Sequence, residues 1–124
     1  MKRKLLESFI KDINKNNNVH NPHSFFAIDF NGYLIFLNDA CTSLTGYTAE
    51  EAKSLSFLKL ISINDIDKVY NHYFITVEGI TQGFDCEILH KNGVSVDIHI
   101  EISPIIVDGE FVGVYGIAKQ LPNL

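Results

Sequence analysis

Four acidic residues, Asp85, Glu87, Asp97 and Glu101, are the first candidates for chemistry. Carboxylates held close together can share a proton and work as general acid and base. These four, however, alternate with apolar residues on two strand-like runs, and no nucleophile or base partner accompanies them. They read as the solvated face of a sheet. His20 and His23 have an i, i+3 spacing that suits a metal ion, but they lie in a polar stretch with no third ligand. His90 and His99 read as surface residues of strands. Cys41 and Cys86 are far apart in sequence and lack metal-ligand spacing. They read as small buried hydrophobes rather than the start of a disulfide framework. Asn38 could reach a ligand, yet it stands where a helix opens, and capping explains its type. No catalytic residue and no metal site is assigned.

Composition narrows the classes further. At 124 residues the chain is one domain with room for a real core. A net charge of −5 gives no basic surface for nucleic acid or an anionic membrane. No apolar run approaches the ~20 residues that span a bilayer. Lys2-Arg3-Lys4 resembles the start of a signal peptide, but no apolar segment follows. A cytoplasmic location, or a cytoplasmic part of a larger protein, is expected.

The elements that must position these residues follow from periodicity. Residues 2–16 place Leu5, Leu6, Phe9, Ile10 and Ile13 on one face of an amphipathic helix. That stripe must be buried on its own domain or on a partner, and it predicts a dimer contact. A polar linker follows, so residues 1–23 form a helix-plus-linker unit ahead of a compact domain at 24–120. Residues 121–124 would begin a linker to a further module. Phe25 to Leu37 predicts two strands joined by a type I′ turn at Asn31-Gly32. Asn38 and Asp39 open a short helix that Gly46 closes. Thr48 and Glu51 form a capping box, and Ser56 to Ile61 a single turn. Asn64 or Asp65 caps a longer helix that ends at Gly79. Three strands complete the chain, with turns at Asn92-Gly93 and Asp108-Gly109 and with Pro104 ending the register of the second. The result is an α+β fold, one antiparallel sheet with helices on one face.

The residues at these junctions carry a resemblance. They are Asn38-x-Ala40-x-x-x-Leu44-x-Gly46-Tyr47 with Thr48-Ala49-Glu50-Glu51, then Asp65-Ile66-Asp67-Lys68-Val69, then Lys91-Asn92-Gly93, Ser103-Pro104-Ile105, Asp108-Gly109 and Gly113-Val114-Tyr115-Gly116-Ile117. Together they resemble a PAS domain of the PAS/PAC type found in bacterial signalling proteins, over about residues 24–119. The resemblance implies a five-stranded sheet of order 2-1-5-4-3 with a pocket under its helices, and sensing and dimerisation rather than catalysis. The family often has glycine where Ser54 stands and His-Pro where Ser62-Ile63 stand. It commonly ends in Asp-Ile-Thr, where this chain has Gln120-Leu121-Pro122.

What the resemblance implies about ligands depends on single positions. The axial histidine of oxygen-sensing relatives falls at Val69, which cannot bind iron, and His72 lies part of a turn away. The reactive cysteine of light-sensing relatives falls within Ser54 to Lys59, which holds none. Haem and a covalent flavin adduct are thus argued against, and a small non-covalent ligand remains open. The candidate pocket residues are Ile28, Phe36, Asn38, Tyr47, Leu55, Leu58, Tyr70, Phe74, Phe84, Cys86, Ile100 and Ile117. They could equally be close-packed core. Lys53, Lys59 and Lys68 are the only cations near the helical layer, which favours an uncharged ligand or none. The functional expectation is a sensory module of a homodimer, with an output domain of histidine kinase or GGDEF/EAL cyclic-di-GMP type. A ligand-free contact module is the first alternative. A hotdog thioesterase is the second, and the broken helices at 39–62 argue against it.

Overall fold

The computed structural model describes residues 2–15, 23–53 and 55–122, with Ile13 to Lys15 as backbone only. The expected linker with His20, the side chain of Ile13, Ser54 and the last two residues lie outside the described residues. Among the described residues eleven elements follow one another, in the predicted order with a 3₁₀ turn at Ile63–Asp65 added. They include the helices α1 (Lys2–Lys15), α2 (Asp39–Thr45), α3 (Ala49–Ala52) and α4 (Ile66–Val77), and 3₁₀ turns at Phe57–Leu60 and Ile63–Asp65. The strands are β1 (Ser24–Asp29), β2 (Leu34–Leu37), β3 (Gln82–Leu89), β4 (Ser95–Val107) and β5 (Glu110–Gln120). They form one antiparallel sheet of order β2-β1-β5-β4-β3. No described helix is long and apolar enough to cross a membrane.

The period-two pattern sorts β3 and β4 as predicted. Phe84, Cys86 and Ile88 on β3 and Ile98, Ile100 and Ile102 on β4 are buried on the inner face. Asp85, Glu101 and their neighbours point to the other side. The inner face carries α2, α3, the 3₁₀ turns and α4. The outer face carries α1, whose Leu6 is fully buried against Ala27, Ile105 and Val112. Phe9 lies 5.7 Å from the Tyr115 ring, and Arg3 Nη2 donates to Asp29 Oδ2 at 2.9 Å. Of the described side chains of that stripe, Leu6 is fully buried on the chain's own sheet, and Leu5, Phe9 and Ile10 are half-buried there.

Both outer strands are met in part by the helical layer, which covers some of the backbone groups that would otherwise be open for pairing. Leu34 N–H donates to Leu55 O, and Phe57 N–H to Gly32 O, along β2. On the β3 side Ser62 N–H donates to Glu87 O. Glu87 N–H donates to Asp65 Oδ2 at 2.7 Å. Asp65 therefore ties the helical layer to the sheet. It stands at the start of α4 but its side chain makes no capping bond there, which corrects the expected cap.

Two other expectations are corrected by backbone geometry. Gly32 has φ 87°, but Asn31 does not have a positive φ, so the first turn is not type I′. Gly32 N–H donates to Asp29 O and Asp29 N–H to Tyr33 O, a three-residue loop closed by a left-handed glycine. Asp29 Oδ1 accepts from the N–H groups of Asn31 and Tyr33, which favours this form. The two-residue type I′ turn occurs instead at Asp108-Gly109, with φ 52° and 79°. Pro104 does not end β4. Pairing with β3 stops at Ile102, so beyond it β4 has one free edge, where a missing N–H is tolerated.

Candidate ligand cavity

Residues of all five strands face a cavity of about 70 Å³ beneath the helical layer. Phe26 and Ile28 of β1, Leu34 and Leu37 of β2 and Val114 and Ala118 of β5 form one wall. Phe84, Cys86 and Ile88 with Ile98, Ile100 and Ile102 form the next. Cys41, Leu44 and Thr45 of α2, Phe57, Leu60 and Ile61 of the 3₁₀ segment, and Val69 and Tyr73 of α4 close it. The exposed surface of the lining is entirely apolar. Thr45 turns its hydroxyl back to Cys41 O at 3.0 Å, so its polar atom is spent on its own helix.

Ile28, Phe84, Cys86 and Ile100 are the predicted pocket residues that the structure brings to this cavity. Tyr47 and Leu55 pack at the border of the same core without lining the space. Leu58 is half-buried on the 3₁₀ turn and does not reach it. Phe36 lies on the outer face, edge-on to Phe25 at 5.9 Å. The reason is a register shift in β1–β2 pairing between Ala27 and Ile28, opposite Phe36 and Leu34. The extra residue, Ile35, lets Leu34 and Leu37 both face inward and turns Ile35 and Phe36 outward. Ile117 is also outward and 45% exposed.

Asn38 is fully buried but serves the backbone. Its Oδ1 accepts from Cys41 N–H and Phe25 N–H, both at 3.0 Å, and its Nδ2 donates to His23 O at 2.8 Å. It joins the start of α2 to the start of β1 and does not line the cavity.

On α4 the inward stripe is Val69, Tyr73 and Thr76, at i, i+4 and i+7. Tyr70 and Phe74 lie one residue further round, stacked on each other at 5.6 Å, and Phe74 is 59% exposed. The burial of Thr76 marks the true inward direction. Phe74 also meets Tyr73 edge-on at 5.9 Å, so Phe74→Ala is expected to cost about 1–2 kcal/mol, the scale of two aromatic pairs, rather than the cost of a core cavity. Urea unfolding checks this, and a loss above ~3 kcal/mol would place Phe74 in the core after all.

Among the described lining residues the two thiols and Tyr73 are the only ionisable groups. Burial pushes Cys41 up to about 12 and Cys86 up to about 12, with Asp65 adding to the latter. Burial also raises Tyr73. Neither thiol is a nucleophile near neutral pH. The sign for stability follows from linkage: the unfolded thiols ionise near 9.0 and the folded ones do not. Stability is expected to be unaffected by these groups below about pH 9 and to fall as pH rises from there towards 12. A Cys41→Ala/Cys86→Ala variant should lose that part of the alkaline slope, and an unchanged slope would contradict it.

The outer acidic row contains one ordered feature. His99 Nδ1 lies 2.7 Å from Asp85 Oδ1, and its Nε2 lies 3.5 Å from Glu101 Oε2. The carboxylates are mostly exposed, and no nucleophile stands beside them. Among the described residues no group of three is arranged to hold a metal ion. Elsewhere Glu51, in its capping box, pairs with Lys91, and that bond holds its carboxyl below the usual range.

The fold and cavity define a single-sheet α+β domain with an enclosed apolar site under short helices. A family described as PAS domain matches residues 22–119, and the chain belongs to that family. No curated protein matches it. Among solved structures it is similar to a PAS domain from Colwellia psychrerythraea. The TM-score is 0.81 at 23% identity, over 90% of this chain and 97% of that one. It is also similar to a PAS domain from a two-component sensor histidine kinase, with TM-score 0.74 and 13% identity over 93% and 99%. A third is the PAS domain, in complex with ethanol, of a LuxR-family transcriptional regulator from Burkholderia thailandensis. There the TM-score is 0.71 at 11% identity, over 86% and 96%. These likenesses establish the fold, and with it they set aside the hotdog alternative.

Haem and flavin are tested by the fit. Groups of that size occupy pockets of roughly 300–1,000 Å³, against about 70 Å³ here. Val69 faces the cavity and offers no iron ligand. His72 stacks on Phe84 at 4.2 Å with Nδ1 2.9 Å from Gln82 Oε1. In this conformation the lining fits neither group.

Proposed function

We propose that this chain is a non-enzymatic sensory module of a signalling protein whose signal is a small, uncharged, mostly apolar molecule. The observation that carries the reading is the wholly apolar lining of a cavity of about 70 Å³. An engineered apolar cavity of ~150 Å³ stays dry and takes benzene or xenon. Half that volume suits a molecule of a few heavy atoms. A carboxylate would be buried there without a counter-charge, at a cost of several kcal/mol. The ethanol-bound structural neighbour supports the size class. Its hydroxyl would need a partner that this lining does not present. The test is xenon titration followed by chemical shifts of Ile, Leu and Val methyls. Saturable shifts at Ile28, Ile100 and Val114 support the reading. A thermal-shift response to a dicarboxylate alone would refute it.

The second reading is a contact module without ligand, favoured by the tight packing around so small a space. An absence of response to any small compound would make it the better one. In either case the domain would be residues 24–120 of a cytoplasmic protein. Residues 1–23 would precede it, and 121–124 would lead to an output domain. The sensor histidine kinase neighbour supports a kinase as that output, with a GGDEF/EAL enzyme as the other choice. A homodimer through α1 would use Leu5, Phe9 and Ile10, which are only half-buried on the sheet. Since Leu6 seals Ile105 and Val112, deleting α1 would uncover an apolar face. Sedimentation of a Phe9→Glu/Ile10→Glu variant is the cleaner test, and an unchanged mass would count against the dimer.

A further inference from the structure

The two ends of α2 are held by contacts of unequal kind. At its start, the fully buried Asn38 spends its side chain on the backbone of His23, Phe25 and Cys41. At its end, α2 stops at Gly46 with φ 80°, and the tip of the β3–β4 hairpin meets it there. Lys91 N–H donates to Thr45 O at 2.9 Å. Lys91 Nζ pairs with the Glu51 carboxylate and lies 5.9 Å from the Tyr47 ring centroid. The His90 ring lies so close to Gly46 that a Cβ there would come within 2.3 Å of it. Beyond Gly46 the next fully buried anchor is Ala52 of α3. Residues 39–51 thus form a flap between two buried anchors, fastened in the middle to a hairpin tip.

The inner cavity lies behind this fastening. Cys41, Leu44 and Thr45 of the flap line it, and so do Ile88 and Ile98 of the strands that carry the hairpin. Elsewhere the helical layer is joined to the sheet by backbone bonds and packed rings. Leu34 N–H donates to Leu55 O and Phe57 N–H to Gly32 O. Phe57 stacks on Tyr73 at 5.3 Å, and Asp65 accepts from Glu87 N–H. The side-chain contacts of Lys91, by contrast, lie at the surface, with both members of its ion pair more than a third exposed. Water replaces such contacts readily, so they add little stability. Opening at Asn38 would instead strand buried backbone groups. Local opening draws on the weakly held parts of a fold.

We propose that residues 39–51 are the gate of the inner cavity, hinged between Asn38 and Ala52 and latched by Lys91. Opening lifts α2 from the β3–β4 hairpin while the sheet stays folded, and small molecules pass through that seam. The gate concerns access rather than what enters, so it stands or falls apart from the sensory reading.

The two thiols report it, because Cys41 rides on the gate and Cys86 on the sheet wall, and both are buried. The experiment is labelling of the full chain with methyl methanethiosulfonate, followed peptide by peptide by mass. A thiol exposed by opening loses its proton, displaces methanesulfinate and keeps the methylthio group as a mixed disulfide. Labelling is expected without urea, and low urea should barely accelerate it. Lys91→Ala should raise the rate at both thiols roughly fivefold, the scale of one exposed ion pair with a cation–π contact. Amide exchange at Gly46 and Lys91 should rise by the same factor, with the strand amides of Ile98 and Ile100 unchanged. A merely structural Lys91 would move the strand amides as well. Lys2→Ala removes a comparable cation–π contact, to Phe30, away from the gate and should leave labelling as it is. Labelling with the urea dependence of global unfolding would overturn the proposal. So would an unaffected Lys91→Ala variant, or an equal rise in Lys2→Ala or at the strand amides.

Discussion

Ile28→Ala is expected to cost about 3 kcal/mol and, in the same step, to make the cavity accept a larger guest. Ile28 is almost fully buried at the centre of the inner wall. Truncation of a buried isoleucine costs about 2–5 kcal/mol, through lost transfer energy and the void left behind. Part of its side chain already faces open space, so it loses fewer contacts than a fully packed residue, which places the cost near the middle of that range. At about 4 °C per kcal/mol the melting temperature should fall by roughly 12 °C. β1 is held on both sides by ladders to β2 and β5, so the wall cannot collapse fully and the void enlarges. Benzene should then raise the melting temperature of the variant but not of the natural protein. A loss below ~1 kcal/mol, or an equal benzene effect on both, would show that Ile28 does not bound the cavity.

Asn38→Ala should cost about as much, although it removes no apolar contact. One side-chain oxygen satisfies the first turn of α2 and the N–H of Phe25, and the amide nitrogen holds His23 O. Loss of an N-cap costs about 1 kcal/mol. Leaving the buried Phe25 N–H without a partner adds roughly 1–3 kcal/mol. The sum is about 3 kcal/mol, read as a lower urea midpoint at unchanged slope. Asn38→Asp keeps the acceptor and should recover part of the loss. If both variants match the natural protein in stability, Asn38 does not hold the backbone as described, and if either abolishes xenon binding without changing stability, it acts at the ligand.

Much of this was legible in the chain. The alternation of Phe84, Cys86, Ile88, Ile98, Ile100 and Ile102 assigns an inner face, because a strand's period is two. The caps at Asn38, Thr48 and Gly46 mark helix ends, because their side chains or free φ serve groups only one turn away. The junction residues were enough to suggest a PAS domain. The candidate site was less legible. Ile28, Phe84, Cys86 and Ile100 came from clean strand periodicity. Phe36 was lost to one extra residue in β2, and Tyr70 and Phe74 to a choice between adjacent faces of α4. Cys41 was missed because a seven-residue helix is too short to show which way it faces.

By itself the sequence determined the order of the main elements, most of their ends, the inner face of β3 and β4 and the family to which they belong. These depend on interactions within a few residues, and so on residue type and spacing. The tertiary structure alone decided where the elements meet. It set the register shift that turns Ile35 and Phe36 outward, the use of Asp65 to hold Glu87, the burial of Leu6 of α1 against the outer face of the sheet, and a cavity shared by residues from every strand. Each of these depends on contacts between segments distant in sequence, where a shift of one residue reverses the face that a side chain presents.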